Sequence, residues 1–453
     1  MQFARVFAAM AALVISATAL AAAPIADGVK GLWSGHIDVM GQKLGIRVKF
    51  TTDTAATIDI PDQGVTAMKL SDVTYTPPAV TFRMPEVPGE PSFKGTVKGD
   101  EMTGQFTQSG GSFPFTLKRT TAEAVRRPQD PKPPFPYRSE EVTVQSAGAK
   151  LAGTLTLPQG EGPFPAVLLI TGSGPQNRDS ELFDHRPFLV WADHLTRAGF
   201  AVLRVDDRGV GQSTGVASRF TDLVADAAAC VRHLRTRKDI GSVGLLGHSQ
   251  GAEVAARVAA NDPKVAWVVL LAGIGTDGAS NLAEQNRAIF KAAGMSDEGA
   301  DKVCKAAKAL FDGVLANAPE SKLRELARAL MLAQTSVQDI PEAEVDEALK
   351  QLRSPGMRDL LANDIRNDLK KVRVPVLALL GGKDVQVPAS YNRPALDAAF
   401  KPMKDATVRV FPKCNHLFQP ATTGGLEEYG TIATTIDPEV LDAVKAWMLE
   451  RSK

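Results

Sequence analysis

From residue 139 onward, six short and almost wholly apolar runs alternate with helix-like stretches. The runs read PFPAVLLITG, GFAVLRVD, SVGLLGH, VAWVVLLAG, VPVLALLGG and ATVRVF. Runs of this kind are typical of parallel strands that are buried on both faces of a sheet. The stretches FLVWADHLTRAG and DLVADAAACVRHLRT between them have helical periodicity. The pattern predicts a doubly wound, mostly parallel α/β sheet, which SEEVTVQ and KLAGTLTLP open as a hairpin.

One connection in this alternation is far too long for an ordinary loop. Residues from about 276 to 370, between the fourth and fifth runs, are rich in Ala, Leu, Glu and Lys at helical spacing. We therefore expect a helical cap inserted over one end of the sheet. Leu282, Ile289, Phe290, Leu310 and Phe311 are its candidates for lining an apolar acyl pocket, or else for packing the cap helices together.

The part of the chain before this alternation has a different character. Residues 1–22 combine an early Arg5, an apolar run and small residues, as in a secretory signal peptide. Short alternating runs separated by turn residues predict a small antiparallel all-β domain of about eight strands over residues 24–119. The proline-rich stretch 120–137 predicts an extended linker, and residues 138–453 form the catalytic domain. The protein is expected to be exported, either to the periplasm or out of the cell.

Composition excludes several partners. The chain has 52 Lys and Arg against 51 Asp and Glu, so no strong field favours nucleic acid or an anionic membrane surface. Three widely spaced cysteines indicate neither a zinc site nor a disulfide framework. No later segment has 18 consecutive apolar residues, so no transmembrane segment is expected in the mature protein. Oligomeric state and disulfide formation are left open.

The pattern Gly-x-Ser-x-Gly occurs twice in the chain. Ser249, in Gly247–Gly251, follows an apolar strand run and precedes a helical run. A nucleophilic serine at a sharp strand-to-helix turn requires this context. Ser213, in Gly211–Gly215, follows a polar loop instead. Ser249 is therefore the predicted nucleophile, and Ser213 is interpreted as part of a turn.

A serine nucleophile requires a base and an acid. His416 is the one histidine after Ser249, and it follows the last strand run. Asp384 ends the Gly-Gly-Lys-Asp stretch after a core strand, whereas its rivals Asp397 and Asp405 lie in or after the next helical stretch. We predict Ser249, Asp384 and His416 as a catalytic triad.

The oxyanion of an acyl-transfer intermediate requires two backbone donors. The amide of Gln250, directly after the nucleophile, is one candidate, and the amide of Ser173 in the Gly172-Ser173-Gly174 loop is the other. Gly209 and Gly211 could alternatively begin a dinucleotide-binding Gly-x-Gly-x-x-Gly pattern. The third glycine, Gly215, however, comes one position later than that pattern requires.

Residues 139–451 resemble the α/β-hydrolase superfamily, and within it exported bacterial two-domain esterases related to the serine aminopeptidase-like hydrolases. The resemblance rests on GSGPQNRD from Gly172, DDRGVGQS from Asp206, GHSQG from Gly247, KDVQVP from Lys383 and NHLFQ from Asn415. It implies hydrolysis of small-molecule carboxylic esters through an acyl-enzyme, with no metal or organic cofactor.

Two alternatives to this esterase function remain open. One is an aminopeptidase-like hydrolase of amides, for which acidic residues of the cap could bind a peptide amine. The other is a cell-envelope binding protein in which the β domain binds a polymer and the hydrolase fold is incidental.

Overall fold

The computed structural model describes residues 28–39, 42–60, 65–85, 87, 89, 91–108, 111–120, 127–216, 219–335 and 339–452. The predicted signal peptide and residues 121–126 of the predicted linker lie outside these ranges. Export and the predicted domain boundaries therefore remain predictions.

The chain divides into two compact units. One contains the described residues up to 120, and the other contains those from 127 onward except 182–184, which group with the first unit.

The first unit is an all-β structure. Its strands, among the residues described, are β1 Gly31–Val39, β2 Gln42–Thr52, β3 Ala55–Ile60, β4 Val65–Lys69, β5 Ser71–Thr76, β6 Ala79–Arg83, β7 Ser92–Lys98, β8 Glu101–Gln108 and β9 Gly111–Thr120.

These nine strands form one antiparallel sheet in the order β4-β3-β2-β1-β9-β8-β7-β6-β5. Its core combines aliphatic and aromatic side chains, and the rings of Phe82 and Phe93 stack with their centroids 4.5 Å apart. The two end strands are consecutive in the chain, with only Leu70 between them. The sequence predicted about eight strands, and β4 and β5 are hard to separate because no turn residue lies between them.

The second unit contains the predicted α/β sheet. Its strands within the described ranges are β10 Tyr137–Ser146, β11 Ala149–Pro158, β12 Phe164–Ile170, β13 Ala201–Val205, β14 Ile240–His248, β15 Val268–Leu271, β16 Val376–Gly381 and β17 Ala406–Phe411.

The sheet order is β10-β11-β13-β12-β14-β15-β16-β17. The β10–β11 hairpin is antiparallel, β11 also pairs antiparallel with β13, and the pairs from β13 to β17 are parallel. This confirms the predicted fold class. All six apolar runs are strands. Their side chains pack into two hydrophobic cores, one on each face of the sheet.

Helices cover both faces of this sheet. Those described are α1 Pro187–Arg197, α2 Phe220–Thr236, α3 Gln250–Asn261, α4 Gly278–Ala292, α5 Asp297–Leu315, α6 Glu320–Gln334, α7 Glu342–Leu352, α8 Pro355–Ala362, α9 Arg366–Leu369, α10 Ala389–Phe400, α11 Leu426–Tyr429 and α12 Pro438–Arg451. None of the helices in these ranges has the length and apolarity needed to cross a bilayer.

Helices α4–α9 form the cap, because they lie between β15 and β16. Its two ends are joined at the base by an isolated antiparallel bridge between Asp277 and Asp364. The amide of Gly278 also donates to the carbonyl of Asn363 at 2.8 Å. The cap is thus a helical insertion that starts and ends at one place.

Candidate active site

Ser249 lies at the turn between β14, which ends at His248, and α3, which begins at Gln250. Its backbone has φ 55° and ψ −124°, a left-handed conformation that is uncommon for any residue other than glycine. The amide of Ser249 donates to the carbonyl of Leu271 in β15 at 2.8 Å. The turn is therefore tied to the adjacent strand while the serine side chain stays partly exposed.

The glycines on either side of Ser249 are required by close packing. A Cβ atom on Gly247 would lie 2.0 Å from the carbonyl oxygen of Gly251. A Cβ on Gly251 would lie 2.2 Å from the carbonyl oxygen of Ile170 in β12. Side-chain atoms cannot approach this closely, so the sharp turn exists only with glycine at both places.

Asp384 and His416 form a buried pair. Nδ1 of His416 lies 2.8 Å from Oδ2 of Asp384, and both side chains are almost fully buried. With Oδ2 of Asp384 as the acceptor of this bond, Nδ1 carries the hydrogen and Nε2 is left as an acceptor. Oδ1 of Asp384 accepts from the amides of Gln386 at 2.7 Å and Val387 at 2.8 Å. These bonds orient the carboxylate toward the imidazole.

The rival aspartates lie elsewhere. Asp397 accepts from Nε of Arg393 at 3.3 Å, and Asp405 is paired with Arg451 at 2.8 Å. Both are ion pairs with arginine, which agrees with a structural role for each.

His248, which occupies a variable position of the Gly-x-Ser-x-Gly pattern, is a neighbour of the site that the sequence did not predict. Its Nε2 donates to the carbonyl oxygen of His416 at 2.9 Å, and the two rings lie 4.9 Å apart. Burial, followed by the positive charge of a protonated His416, lowers the pKa of His248 to about 4. A neutral His248, next to Ser249 in sequence, thereby holds the backbone of His416 beside the serine turn. Its place in the motif was the available signal.

The glycine loop after β12 lies against the serine turn. An ideal Cβ on Gly172 would lie 3.3 Å from Cβ of Ser249, so the residue before Ser173 is in contact range of the serine. Gln250 is the first residue of α3, where backbone N–H groups have no intrahelical acceptor and the helix dipole is positive. The two predicted oxyanion donors thus belong to segments that border Ser249, and their role remains a prediction.

Ser213 has a different environment. It is buried, its Oγ donates to the carbonyl of Asp206 at 2.8 Å, and it accepts from the amide of Ala152 at 2.9 Å. Both hydrogen-bonding functions of this hydroxyl are used within the protein. The structure thus agrees with the interpretation of Ser213 as part of a turn.

Leu282, Ile289, Phe290, Leu310 and Phe311 are the five cap residues proposed to line an apolar acyl pocket. These side chains are buried, each at most 8% exposed. A cavity of about 560 Å³ is lined instead by charged side chains of α4 and α5, by Cys304, and by Ser390 and Tyr391 at the start of α10. Glu284 and Asp301 border this cavity, and both lie near Arg287, at 3.6 and 2.6 Å. The apolar acyl pocket stays a prediction.

Among the described residues, no group of three or more His, Cys, Asp or Glu side chains is arranged to hold an ion.

Similar proteins are found both by sequence and by structure. Residues 188–419, just over half of the chain, match the family model described as serine aminopeptidase, S33. The esterase EstD of Thermotoga maritima is 26% identical over 321 residues, which cover 70% of this chain and 69% of EstD.

Two solved structures illustrate the structural likeness. The Pyrococcus furiosus esterase Pf2001 has a TM-score of 0.44 at 15% identity and covers 73% of this chain and 99% of its own. The proline iminopeptidase of Mycobacterium smegmatis has a TM-score of 0.43 at 16% identity and covers 69% and 99%. With the family model matched across most of the sheet and the cap, the chain belongs to the S33 serine aminopeptidase family of α/β-hydrolase enzymes.

Proposed function

We propose that this protein is a serine esterase that cleaves small-molecule carboxylic esters through an acyl-enzyme. Ser249 is the nucleophile, His416 the general base and Asp384 the acid that orients it. The observation that carries the proposal is the 2.8 Å bond between Asp384 and Nδ1 of His416. This bond leaves Nε2 as an acceptor on an imidazole whose backbone is held beside Ser249 through His248.

The first half of the reaction forms the acyl-enzyme. Nε2 of His416 takes the proton of Ser249 Oγ as that oxygen attacks the ester carbonyl, and Asp384 stabilises the resulting imidazolium. The carbonyl oxygen becomes negatively charged and accepts hydrogen bonds from the amides of Ser173 and Gln250. When the tetrahedral intermediate collapses, the carbon–oxygen bond to the alcohol breaks, and His416 returns its proton to that leaving oxygen.

The second half releases the acid. A water molecule replaces the alcohol, gives a proton to Nε2 of His416, and attacks the acyl carbon. Collapse of this second tetrahedral intermediate breaks the bond to Ser249 Oγ, which recovers the proton from His416. The products are one alcohol and one carboxylic acid, and the enzyme is unchanged.

A second candidate, the hydrolysis of aminoacyl amides, is suggested by the family description and by the carboxylates at the cap cavity. Recognition of a free amine requires a carboxylate that is available to it. Arg287 lies at 2.6 Å from Asp301 and at 3.6 Å from Glu284, so an incoming ammonium would compete with this guanidinium. We therefore favour ester hydrolysis over amide hydrolysis, in line with the similarity to the esterase EstD.

Parallel assays on purified protein test this choice. Short-chain p-nitrophenyl esters and aminoacyl p-nitroanilides are compared by kcat/KM, and a fluorophosphonate probe is used with intact mass to count modified serines. We expect faster turnover of the esters, one label in the wild type and none in Ser249→Ala. Higher kcat/KM for the anilides would assign the peptidase activity, and absence of both turnover and labelling would favour a binding protein.

We also propose that the enzyme acts outside the cytoplasm, on the basis of residues 1–22. Expression of the full chain in a bacterial host, followed by fractionation and N-terminal sequencing, tests this. A mature N-terminus close to residue 23 in the periplasm or medium is the expected result, and an uncleaved chain in the cytoplasm would contradict it.

A further inference from the structure

The loop that carries Ser173 depends on other residues to hold it against the serine turn. Gly172 is in contact range of Ser249, and Ser173, Gly174 and Pro175 are exposed. Exposed segments are mobile unless hydrogen bonds hold them. Oxyanion stabilisation requires donors that are fixed before the reaction begins. The anchors of this loop therefore bear on the reaction.

Asp207, which follows β13, binds both flanks of the loop with one carboxylate. Its Oδ1 accepts from Oγ1 of Thr171 at 2.7 Å, directly before Gly172. Its Oδ2 accepts from the amide of Gln176 at 2.9 Å, directly after Pro175. The amide of Asp207 also donates to the carbonyl of Gln176 at 3.0 Å. The four residues 172–175 thus lie between two points held by the same side chain.

Gln176 extends this anchoring to Ser173 itself. Its Nε2 donates to the carbonyl oxygen of Ser173 at 3.1 Å, and its Oε1 accepts from Oγ of Ser180 at 2.6 Å. A continuous series of hydrogen bonds therefore runs from Asp207 through Gln176 to the residue whose amide is the predicted oxyanion donor.

The neighbouring Asp206 anchors a different part of the loop. Its Oδ1 accepts from the amide of Arg178 at 2.8 Å, and its Oδ2 accepts from Nη2 of the same arginine at 2.8 Å. These bonds hold the far end of the loop to β13 without using Asp207. Removal of the Asp207 carboxylate should consequently loosen residues 171–176 while the rest of the loop stays in place.

We propose that Asp207 is a positioning residue for the reaction, one that fixes the Gly172–Pro175 segment so that the Ser173 amide meets the oxyanion. The proposal rests on the esterase mechanism proposed above. Asp207 acts through Thr171 and Gln176, and contact with the substrate or the triad is not part of its role.

The protonation of Asp207 determines which variant is conservative. Burial, together with repulsion from Asp226 and Asp206, raises the pKa of Asp207 to about 7. A neutral side chain is therefore tolerated here. Asparagine can accept from the Gln176 amide with its oxygen and donate to Oγ1 of Thr171 with its nitrogen, because a hydroxyl both donates and accepts. Asp207→Asn should keep both contacts, and Asp207→Ala should lose both.

The experiment compares the full-length wild type with these two variants on a p-nitrophenyl ester. For Asp207→Ala we expect kcat to fall by about 10- to 100-fold, below the loss for an entire oxyanion donor, with KM changed less than about twofold. For Asp207→Asn we expect most of kcat to return. Affinity for a boronic acid, which forms a tetrahedral adduct with the nucleophilic serine, should fall in Asp207→Ala by a factor similar to that in kcat/KM.

Asp239→Ala is the matched control, since Asp239 is paired with Arg237 at 2.7 Å and directly precedes the amino end of β14, the end opposite to the one that Ser249 follows. It should retain the kinetics of the wild type. If Asp207→Ala does not fold, Thr171→Val removes one of the two contacts and should lower kcat by a smaller factor with KM unchanged.

Two outcomes would overturn the proposal. One is a kcat within twofold of wild type in folded Asp207→Ala, or in Thr171→Val if that variant is the one measured. The other is an Asp207→Asn variant as impaired as Asp207→Ala. Fluorophosphonate labelling separates these from failure of the esterase mechanism, because a wild type that is neither labelled nor active contradicts that mechanism before any variant is compared.

Discussion

The two Gly-x-Ser-x-Gly turns of this chain have the same pattern and opposite environments. Ser249 is partly exposed, at a left-handed backbone position between β14 and α3. Ser213 is buried, and its hydroxyl bonds to Asp206 and Ala152. Ser249 directly follows His248, whose ring lies 4.9 Å from that of His416, while the Ser213 hydroxyl connects two backbone segments. A nucleophile is therefore defined by what surrounds the serine, and substitutions in and around the two turns test this contrast.

Removal of the hydroxyl of Ser249 should have the largest effect. We expect Ser249→Ala to lose at least about four orders of magnitude in kcat, because no acyl-enzyme can form. Ser213→Ala is the matched control in ester hydrolysis. Comparable turnover in Ser249→Ala, combined with total loss in Ser213→Ala, would exchange the two roles.

Asp384→Asn should have a similar effect without removing any reacting atom. Replacement of the carboxylate favours the wrong imidazole tautomer, and in serine proteases the equivalent change lowers kcat about 10⁴-fold. The amides of Gln386 and Val387 can still bond to the remaining oxygen, so the loop should hold. Asp397→Asn is the control, and the measurement that tests the prediction is kcat of the folded Asp384→Asn variant. A loss below tenfold would argue against Asp384 as the acid.

The sequence predicted most of this fold because strands that are buried on both faces of a sheet are apolar along their whole length. Few other structures require such runs. Ser249, Asp384 and His416 could be predicted as a triad because each follows such a run at the carboxyl end of a strand. The pair of Asp384 and His416 in the structure agrees with that assignment.

Other features could not be predicted, since they depend on contacts between distant parts of the chain. The bond from His248 to the carbonyl of His416 joins residues 168 positions apart. Asp207 reaches the glycine loop across about 30 residues, and its own segment looked like a turn. The charged lining of the cap cavity arises where α4, α5 and α10 meet, which helical periodicity does not predict.

Alanine in place of a motif glycine should lower catalysis at the Ser249 turn and only stability at the Ser213 turn. In Gly251→Ala, the added Cβ would lie 2.2 Å from the carbonyl oxygen of Ile170 and must displace the end of β12, two residues before Gly172. We expect kcat to fall about 100-fold or more, as for a lost oxyanion donor.

Gly215→Ala is the counterpart in the other turn. Its backbone has φ +89°, and its Cβ would lie 3.0 Å from Cβ of Ala149. It should cost about 1–2 kcal/mol of stability with little change in kcat of the folded protein. Equal kinetic losses in the two variants would contradict the contrast between the turns. Thermal melting and ester kinetics on both proteins provide the comparison.

His248→Ala should have a smaller effect on the rate. It removes the donor to the carbonyl of His416, and a small displacement of the base is expected to lower kcat by about 10- to 100-fold. His248→Gln places an amide nitrogen near the same position and should recover part of the rate. Identical kinetics in the alanine variant and the wild type would show that this bond does not orient His416.

The same side chain has a pH signature. With a folded-state pKa of about 4, below the ordinary value of about 6.5, His248 binds a proton more readily in the unfolded chain. Its effect is thus to lower stability as the pH falls from about 6.5 to 4, by at most about 1.4 kcal/mol per pH unit. His248→Gln should show a shallower loss in thermal melts over that range, and parallel curves would contradict the shift.

Ser213→Ala should have the smallest effect on catalysis, and its effect on stability is the reason to measure it. The Ser213 hydroxyl accepts a hydrogen bond from the amide of Ala152 in β11 and donates one to the carbonyl of Asp206. Without this hydroxyl, the buried N–H of Ala152 has no partner, which costs about 1–3 kcal/mol of stability.

Thr214→Ala is the control in the same turn, since Oγ1 of Thr214 accepts from the amide of Lys150 at an exposed position, where water can replace it. We expect Ser213→Ala to melt at a lower temperature than both Thr214→Ala and the wild type, while kcat and fluorophosphonate labelling stay unchanged. Reduced labelling with an unchanged melting temperature would instead make Ser213 part of the reaction, and the two turns would no longer differ in the way their surroundings indicate.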